Sequence, residues 1–345
     1  MNFEDLNWDI LDRLRATFLE GKPARRAYWT CDEDLRQYDV TFGERIGWKW
    51  DAVLGELRNL GWTPPPGMDR VLDWGCGSGV AGRRVLAEYP SLRMLEVYDH
   101  SRLAVSFAAQ KAKHDFPDVE VRPLGSPPDQ ARGALLVLSH VCNELDSRAE
   151  TRLMTLVSSA AAVLWIEPGT HQMGRRLQGY RERCKDSFDV VAPCSHQDAC
   201  PLLQAGRERD WCHHFASPPA HVFTDGNWAR FARRAGVDLR ALPYSYLALQ
   251  WRPPTVRPAS PRPWARPLGR VRVQKAAATI LACTSGGMMG LHLSKQEDPK
   301  AFARLRHGAL APRVVLLPPQ PSGSPSGWLF DSRVDGPGPS EACEG

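Results

Sequence analysis

The chain lacks long apolar runs, and no stretch approaches the roughly 18 to 20 apolar residues that a membrane-spanning helix requires. The first twenty residues hold five acids, Glu4, Asp5, Asp9, Asp12 and Glu20. That composition matches neither an apolar secretory signal nor an acid-poor transit peptide. We therefore expect a cytosolic protein that has no membrane partner.

Internal repeats and regularly spaced cysteines are also missing. No period of roughly 20 to 50 residues recurs, which argues against a solenoid or a propeller. The nine cysteines stand at uneven spacings, so they favour metal or redox chemistry over a disulfide framework. With 345 residues, 43% of them hydrophobic, the chain is long enough for one large α/β domain or for two domains. The oligomeric state stays open.

Acidic residues are scarce in one segment. Between Arg230 and Lys275 there are eleven basic residues and a single acid, Asp238, whereas the whole chain carries a net charge of only +5. Because this excess of ten positive charges is local, we expect a polyanionic partner such as RNA to meet the protein here. A solvated basic face is the plainer alternative. Aromatic residues that could stack on bases are interleaved with the arginines: Phe231, Tyr244, Tyr246, Trp251 and Trp264.

The order of apolar patterns predicts a helical region followed by an α/β core. Residues 1–66 are predicted to be helical, with an apolar stripe at spacings of three and four from Ile46 to Leu60. From Arg70 to Ile166, short apolar runs alternate with helical patterns. This β-α-β-α order predicts a parallel sheet with helices on both faces.

The predicted core, residues 67–310, has two interruptions in its second half. A Cys-rich insertion at 193–219 interrupts the alternation, and a Pro/Arg-rich stretch at 253–267 is expected to form an extended loop outside the core. Between them a helix at Trp228–Ala235 and a strand at Tyr244–Trp251 are predicted, and Ala277–Cys283 is expected as the last strand. Residues 318–345 are rich in proline, glycine and serine, and we expect a disordered tail.

The sharpest motif is a glycine-rich segment between a predicted strand and a predicted helix. It reads Asp73-Trp74-Gly75-Cys76-Gly77-Ser78-Gly79. Glycines allow a tight turn and let a ligand approach the main chain at the helix N-terminus. Because Gly77, Gly79 and Gly82 also fit the spacing G-x-G-x-x-G, a dinucleotide such as NAD or FAD is one candidate ligand.

Two acids help to separate the candidate ligands. Asp73 would repel a pyrophosphate but attract the ammonium and sulfonium groups of S-adenosylmethionine. Asp99, twenty residues after Gly79, could accept hydrogen bonds from the ribose hydroxyls of either cofactor. The motif therefore favours S-adenosylmethionine, held by Asp73, Gly75, Gly77, Gly79 and Asp99, and it resembles the first motif of class I methyltransferases.

A second polar segment follows the predicted strand Leu135–Val141. It contains Asn143 and Glu144, and strand carboxyl ends are where an open α/β sheet places its ligands. These two side chains are candidates for the reaction centre. The alternative is that they cap the next helix.

Three cysteines, Cys194, Cys200 and Cys212, cluster within nineteen residues beside prolines and histidines. This spacing has no helical or strand period, which suggests metal ligands on a loop. Cys283 is the candidate for the fourth ligand. Four thiolates suit tetrahedral zinc or a [4Fe–4S] cluster, and replacement of one cysteine by a histidine would favour zinc. The alternative ligands are His196, His213 and His214. We expect the other cysteines to be buried free thiols: Cys31, Cys76, Cys142, Cys184 and Cys343.

Together these motifs resemble a methyltransferase-like family associated with the small ribosomal subunit in bacteria and mitochondria. The resemblance covers about residues 25 to 305. It is carried by Tyr28-Trp29 with Tyr38-Asp39, the Asp73–Gly79 segment, Ser139–Leu145, Ile166–Gly169, Ala192-Pro193-Cys194, Cys200-Pro201, Asp210-Trp211-Cys212-His213 and Cys283. The Pro/Arg loop and the tail are departures, and Arg304–Ala309 stands where the family has a Trp-Gly-Asp-like element.

The resemblance implies a class I S-adenosylmethionine methyltransferase fold, which is Rossmann-like, and a role on the small ribosomal subunit and its RNA. It also implies a [4Fe–4S] cluster on Cys194, Cys200, Cys212 and Cys283. One hypothesis is a methyltransferase in which Asn143 and Glu144 line the reaction centre. The other is a non-catalytic assembly factor that uses the same fold as a scaffold on RNA. An NAD-dependent enzyme ranks third.

Overall fold

Strands and helices alternate along the first half of the chain, as the sequence predicts. The computed structural model describes residues 2–20, 29–262, 264–306, 314–316 and 328–330. The helices are α1 (Trp8–Glu20), α2 (Asp32–Tyr38), α3 (Glu44–Asn59), α4 (Val80–Glu88), α5 (Arg102–Asp115), α6 (Ser147–Ser159), α7 (His171–Cys184), α8 (Gly226–Ala235) and α9 (Pro299–Arg306). The first eight strands are β1 (Arg70–Trp74), β2 (Met94–Tyr98), β3 (Glu120–Pro123), β4 (Leu135–Ser139), β5 (Ala162–Pro168), β6 (Phe188–Ala192), β7 (His214–Ala216) and β8 (Leu242–Trp251).

These strands form a sheet in the order β3-β2-β1-β4-β5-β8-β6, and β7 pairs with β8. The strands from β3 to β5 are mutually parallel, whereas β8 runs antiparallel to both β5 and β6. The order reverses beside β1, so the carboxyl ends of β1, β2 and β4 flank one crevice. This topology confirms the expected Rossmann-like class I methyltransferase fold.

The predicted N-terminal helical region packs directly on this sheet. The apolar stripe of α3 buries Trp50, Val53 and Leu57, which belong to the same core cluster as Val71 of β1 and Leu95 of β2. Burial of such side chains is worth about 1.5 to 3 kcal/mol each. The sheet and α3 therefore share one core, and α3 is fixed over the edge where the strands end.

A second, smaller sheet corrects two expectations about the Pro/Arg loop and the last strand. It has the order β11-β10-β9-β12-β13. Its strands are β9 (Trp264–Val273), β10 (Ala277–Thr284), β11 (Gly287–Ser294), β12 (Val314–Leu316) and β13 (Trp328–Phe330). The loop predicted at 253–267 therefore ends before Trp264, and β11 follows the strand that was expected to be last. The composition misleads here because Arg266 is buried, only 1% exposed, against a carboxylate from a distant helix.

The predicted tail lies mostly outside the described residues. Within 318–345 the structure describes only Trp328–Phe330, which pairs with Val314–Leu316. Cys343 is also outside the described part. Among the helices that are described, none is both long and apolar enough to cross a membrane.

Candidate functional site

A cavity of about 600 Å³ opens at the carboxyl ends of β1, β2 and β4. We call it the strand-end cavity. Its walls include the glycine loop 75–78, Asp99, Asn143, Glu144 and half-buried Lys49 of α3. The size is within the range of about 300 to 1,000 Å³ that is usual for small-molecule sites.

The three glycines of the loop have different roles, although all have a left-handed φ. The φ values are 74° at Gly75, 50° at Gly77 and 77° at Gly79. A Cβ at Gly75 would lie 2.6 Å from a methyl of Val141, and one at Gly79 would lie 2.8 Å from the Cβ of Ala108. A Cβ at Gly77 would meet no described atom within 4 Å. Gly77 therefore leaves open the space that a ligand needs, whereas Gly79 lets α4 approach α5.

Asp99 lies in the wall of the strand-end cavity and is tied to the glycine loop. Its Oδ2 accepts a hydrogen bond from the Gly77 amide at 3.0 Å, and its Oδ1 accepts one from the Ser101 amide at 2.9 Å. These bonds fix the carboxylate at the end of β2. The placement suits an acceptor of hydroxyl hydrogen bonds.

Asp73 lies behind the loop rather than in the cavity wall. It is completely buried, and its Oδ2 accepts a hydrogen bond from the Gly82 amide at 3.0 Å. Its Oδ1 has no partner among the described residues. Burial raises the pKa of this carboxyl to about 7, although the Gly82 amide acts in the opposite direction. Asp73 is therefore buried behind the glycine loop, and its contact with a ligand stays a prediction.

Asn143 and Glu144 both line the strand-end cavity, in a 3₁₀ turn at Cys142–Glu144. The alternative that they cap the next helix is wrong. Asp146 is the N-cap of α6, and its Oδ1 accepts a hydrogen bond from the Ala149 amide at 2.8 Å. Their side chains are therefore not used as that cap.

Three further residues beside the strand-end cavity were not predicted as site residues, although His140 and Glu167 lie in segments that carry the family resemblance. The Nζ of Lys49 lies 3.5 Å from the Nε2 of His140, which has an unusual φ of 58° for a non-glycine residue. Behind this turn, Oε1 of buried Glu167 accepts hydrogen bonds from the amides of Val141 and Cys142, both at 3.1 Å. For Lys49, the sequence signal is its position between Trp48 and Trp50, which are both buried in α3.

A second, small cavity lies between the two sheets, and we call it the cysteine cavity. It is lined by Cys194, Cys200, Cys212 and Cys283, so the structure brings the four expected ligands to one place. Among the described residues, no group of three or more cysteine, histidine or acidic side chains is arranged so that it could hold one metal ion. Burial, followed by the neighbouring cysteines, raises the pKa of the Cys212 and Cys283 thiols.

Two of the three candidate histidines contact these thiols. The Nε2 of His196 lies 3.6 Å from Sγ of Cys283, and the Nε2 of His214 lies 3.6 Å from Sγ of Cys212. His213 instead stacks on Trp211, with ring centroids 4.3 Å apart. His196 and His214 therefore flank the thiols, whereas His213 does not contact them.

Two buried guanidinium groups, those of Arg181 and Arg266, also line the cysteine cavity. Arg266 pairs with Glu56 of α3, and the hydroxyl of Tyr246 donates to the same carboxylate at 2.7 Å. The Nε of Arg266 donates to the carbonyl of Pro193 at 2.6 Å, next to Cys194. The cavity thus has positive charge in its wall and a polar link to α3.

The remaining cysteines only partly follow the expectation of buried free thiols. Cys142 and Cys184 are buried away from the cysteine cavity, and Cys76 is buried in the glycine loop. Cys31 is exposed, which corrects that expectation, because it precedes α2 at the surface.

The basic segment is less available to a partner than its composition suggests. Arg252 pairs with Asp189 and Arg266 with Glu56 in buried surroundings, and the exposed Arg230, Arg234 and Arg240 also have acidic partners. The aromatic residues expected to stack on bases are buried, apart from half-exposed Trp251: Phe231, Tyr244, Tyr246 and Trp264. The stacking role predicted for Trp264 is therefore wrong, because its ring packs in the interior beside Arg266.

Comparisons with solved structures place methyltransferases among the similar folds. The magnesium protoporphyrin IX methyltransferase of Synechocystis PCC 6803, solved with S-adenosylmethionine, is 15% identical, with 70% of this chain and 91% of that chain covered and a TM-score of 0.35. A methyltransferase of Geobacter sulfurreducens, solved with S-adenosylhomocysteine, is 17% identical, with 61% and 91% covered and a TM-score of 0.33. A comparison with curated proteins gives no match.

A family model supplies the decisive comparison. It matches residues 62–309, a range that includes the glycine loop, the 139–145 segment and all four cysteines of the cysteine cavity. The range covers more than half of the chain, in agreement with the resemblance inferred from the motifs. The chain belongs to the Rsm22 family, which is described as the mitochondrial small ribosomal subunit Rsm22.

Proposed function

We propose that this protein binds S-adenosylmethionine in the strand-end cavity and acts as a methyltransferase-like protein on the small ribosomal subunit. The observation that carries the proposal is the combination of Gly77, whose missing side chain keeps the cavity open, with Asp99, which is held at the rim. The Rsm22 membership supports the small ribosomal subunit and its RNA as partners. The cytosolic location stays a prediction.

The residues around the strand-end cavity fit this cofactor. Asp99 would accept hydrogen bonds from the ribose hydroxyls, and the main chain of the 75–78 loop would lie against the ligand. Asp73, whose Oδ1 is buried without a described partner, would supply negative charge behind the loop. When bound, the cofactor supplies an electrophilic methyl group on a sulfonium. The role of the protein is to hold the acceptor in line with that methyl group.

Asn143 and Glu144 are the candidates for orienting the acceptor. Both side chains line the strand-end cavity from the turn that follows β4. Glu144 offers hydrogen-bond acceptors, and Asn143 offers both donors and acceptors. They can therefore align the polar edge of a nucleobase in the cavity.

Calorimetry of S-adenosylmethionine binding tests the cofactor proposal. Gly77→Ala should weaken binding at least tenfold, because the new methyl group fills ligand space. Gly61→Ala is a matched control: Gly61 has a φ of 71° and no described atom within 4 Å of its Cβ site, but it lies outside the cavity wall. Asp99→Ala should also weaken binding. Binding of NADH, with none of S-adenosylmethionine, would overturn the proposal.

A [4Fe–4S] cluster is proposed for the cysteine cavity, with Cys194, Cys200, Cys212 and Cys283 as ligands and zinc as the alternative. The donor set fits, because four thiols surround one cavity whose wall also contains the buried guanidinium groups of Arg181 and Arg266. A cubane needs thiolates around a volume, each bound to a different iron, rather than around one point. Such a group would tie the 194–212 loop to β10.

Analysis of iron and acid-labile sulfide in anaerobically purified protein tests the cluster. We expect about four of each per chain, with losses in the variants Cys194→Ser, Cys200→Ser, Cys212→Ser and Cys283→Ser. Cys184→Ser is the control, because Cys184 is buried elsewhere. Stoichiometric zinc without sulfide would replace the cluster by the zinc alternative.

A methyl-transfer assay distinguishes an enzyme from a scaffold. Small ribosomal subunits from cells that lack the protein should accept tritiated methyl groups from S-adenosylmethionine. Tight binding of both cofactor and subunit without transfer would instead identify a non-catalytic assembly factor.

A further inference from the structure

We propose that Lys49, supported by His140, is the base that accepts the proton lost by a nucleobase N–H group when that group is methylated in the strand-end cavity. This inference rests on the proposed function. It adds a catalytic residue that lies on α3, outside the motif that holds Asn143 and Glu144.

The first argument is placement. Lys49 and His140 both line the cavity that also contains the glycine loop and Asp99. Their nitrogens are 3.5 Å apart, although the residues are separated by 91 positions. Next to Lys49, the indole of Trp50 donates to Oγ of Ser139 at 3.0 Å. The helix and the end of β4 are therefore held together at the position of the pair.

The second argument is the backbone at His140. Its φ of 58° lies in the left-handed region, which is costly for residues with a side chain and is common at functional sites. The neighbouring structure maintains it: the His140 amide donates to the carbonyl of Ile166 at 2.8 Å. Glu167 accepts from the next two amides and from the indole of Trp165, at 2.8 Å. These bonds fix the turn that carries His140 beside Lys49.

The third argument is electrostatic. Burial, and then the positive charge of Arg45, lowers the pKa of Lys49 to about 7, whereas Glu167 acts in the opposite direction. Burial, Lys49 and Arg45 hold the pKa of His140 well below its usual value. The Lys49 amine therefore has a substantial neutral fraction near pH 7. The other charged or titratable groups in the cavity wall are Tyr38, Cys76, Tyr98, Asp99, His100, Glu144, Asp146, Arg148 and Arg152.

The fourth argument is the shape of the acceptor that the walls would take. Half-buried Tyr38, Phe42 and Tyr98 present aromatic rings to the same cavity. Aromatic rings favour a flat, extruded base over an aliphatic acceptor. A nucleobase that lies against them can direct its N–H edge toward the Lys49–His140 pair.

The proton and electron pairs balance in a single displacement. The acceptor nitrogen forms a bond to the methyl carbon while the bond between that carbon and the sulfonium sulfur breaks, which leaves a neutral thioether. The proton of the acceptor N–H passes to Nζ of Lys49. The resulting ammonium donates a hydrogen bond to Nε2 of His140 and later releases the proton to water.

The test measures tritiated methyl transfer from S-adenosylmethionine to small ribosomal subunits from cells that lack the protein, between pH 6 and 9. The rate constant of the unaltered protein should rise about tenfold per pH unit and level off above about pH 7. Lys49→Met should lower kcat at pH 7.5 by about 100- to 1,000-fold and abolish the plateau, with little change in the KM for the cofactor. Lys49→Arg should not restore it, because arginine stays protonated.

Chemical rescue and matched variants separate a base from a structural role. Propylamine added to Lys49→Ala should recover part of the lost rate, with a pH dependence set by the added amine. His140→Asn, chosen because asparagine tolerates a left-handed φ, should lower kcat about tenfold. Lys111→Met, at a partly exposed lysine of α5 that is outside the cavity wall, should leave kcat unchanged.

The outcomes distinguish this inference from the proposed function. Equal rates and equal pH profiles for the unaltered protein and Lys49→Met, or no rescue by the amine, would overturn the role of Lys49 alone. Cofactor binding without methyl transfer by the unaltered protein would overturn the role of Lys49 and leave the cofactor site standing. Absence of cofactor binding would overturn both.

Discussion

The strand-end cavity and the cysteine cavity are assembled in opposite ways. The first is built around one continuous loop, residues 75–78, whose backbone conformation is set locally by glycines. The second draws its thiols from Cys194, Cys200, Cys212 and Cys283, which only the packing of two sheets brings together. The conformation of the glycine loop is favoured locally, whereas the cysteine site is only as stable as the tertiary structure around it.

The charged groups around the two cavities also differ in their pairing. Behind the strand-end cavity, Oδ1 of Asp73 has no partner among the described residues, and the Lys49–His140 pair lines the cavity wall. Around the cysteine cavity, Arg266 and Glu56 neutralise each other in the interior. The first arrangement is suited to binding a polar ligand. The second makes the fold depend on a buried pair, so the same kind of substitution should have different effects in the two places.

The largest expected effect is at the buried pair. Arg266→Met should lower the apparent free energy of unfolding by about 3 to 5 kcal/mol, because it leaves the Glu56 carboxylate buried without its cation. Urea unfolding checks this. Arg230→Met, which breaks an exposed pair with Glu4, is the control and should cost less than about 1 kcal/mol.

The double variant Glu56→Gln with Arg266→Met should recover most of the loss. It removes both charges and keeps a hydrogen-bond acceptor for Tyr246. If the double variant were as unstable as Arg266→Met alone, the loss would come from packing rather than from an unpaired charge.

The next prediction distinguishes the packing role of Gly79 from the ligand-binding role of Gly77. Gly79→Ala should destabilise the protein by about 2 to 4 kcal/mol, from a strained left-handed φ and a clash with Ala108. Gly77→Ala should cost about 1 to 2 kcal/mol, from the strained φ alone. Thermal unfolding with and without S-adenosylmethionine measures both. Equal destabilisation would mean that the loop is more adaptable than its contacts indicate.

A smaller effect concerns protons. Because burial raises the pKa of Asp73 to about 7, this carboxyl is largely protonated at pH 6 in the ligand-free protein. A cationic ligand favours the ionised form, so S-adenosylmethionine should release up to one proton at pH 6 to 7 and bind up to tenfold more weakly per pH unit below 7. Calorimetry in buffers of different ionisation enthalpy measures the release.

Asp73→Asn provides the control for this proton release. The asparagine side chain does not titrate, so the proton release should be absent in this variant. Proton release that persisted in Asp73→Asn would have to come from another group, and the Lys49–His140 pair would be the next to examine.

The smallest expected effect is at the surface. Arg272 and Lys275 are exposed and have no ion pair with another described residue. Each should therefore contribute about 0.7 to the slope of log K against log salt concentration for binding to single-stranded RNA of the small subunit. The double variant Arg272→Ala with Lys275→Ala should lose both contributions. Filter binding between about 50 and 200 mM salt measures the slope. Arg240→Ala is the control, because Asp238 already neutralises that side chain. If the slope were unchanged in this double variant, RNA would have to bind at another surface of the protein.

The central sheet could be predicted because its strands are short apolar runs and its helices have a clear period. Helix α7 could not, since it carries four arginines and its buried face includes the polar Gln178 and Arg181. Strand β9 was hidden by the proline-rich stretch before it, by Pro267 and by Arg266. That guanidinium is buried only because Glu56, 210 residues away in sequence, is its partner.

The same limit applies to the candidate sites. Asp99, Asn143, Glu144 and the four cysteines are marked by local motifs or by clustering, so sequence alone identifies them as candidates. Lys49 has no such mark, and although His140 lies in the 139–145 motif, the pairing of the two depends on a contact between α3 and the end of β4. The glycine roles also differ in ways that depend on neighbours such as Ala108, which the motif does not contain.

The Arg266–Glu56 pair has a consequence for the history of the family. Loss of either charge alone would pass through an unstable intermediate, so the two positions should change together or not at all. In an alignment of related chains, a neutral residue at position 56 should accompany a neutral residue at position 266. A chain that keeps only one of the two charges should have another buried residue of opposite charge beside it. That residue would replace the missing partner.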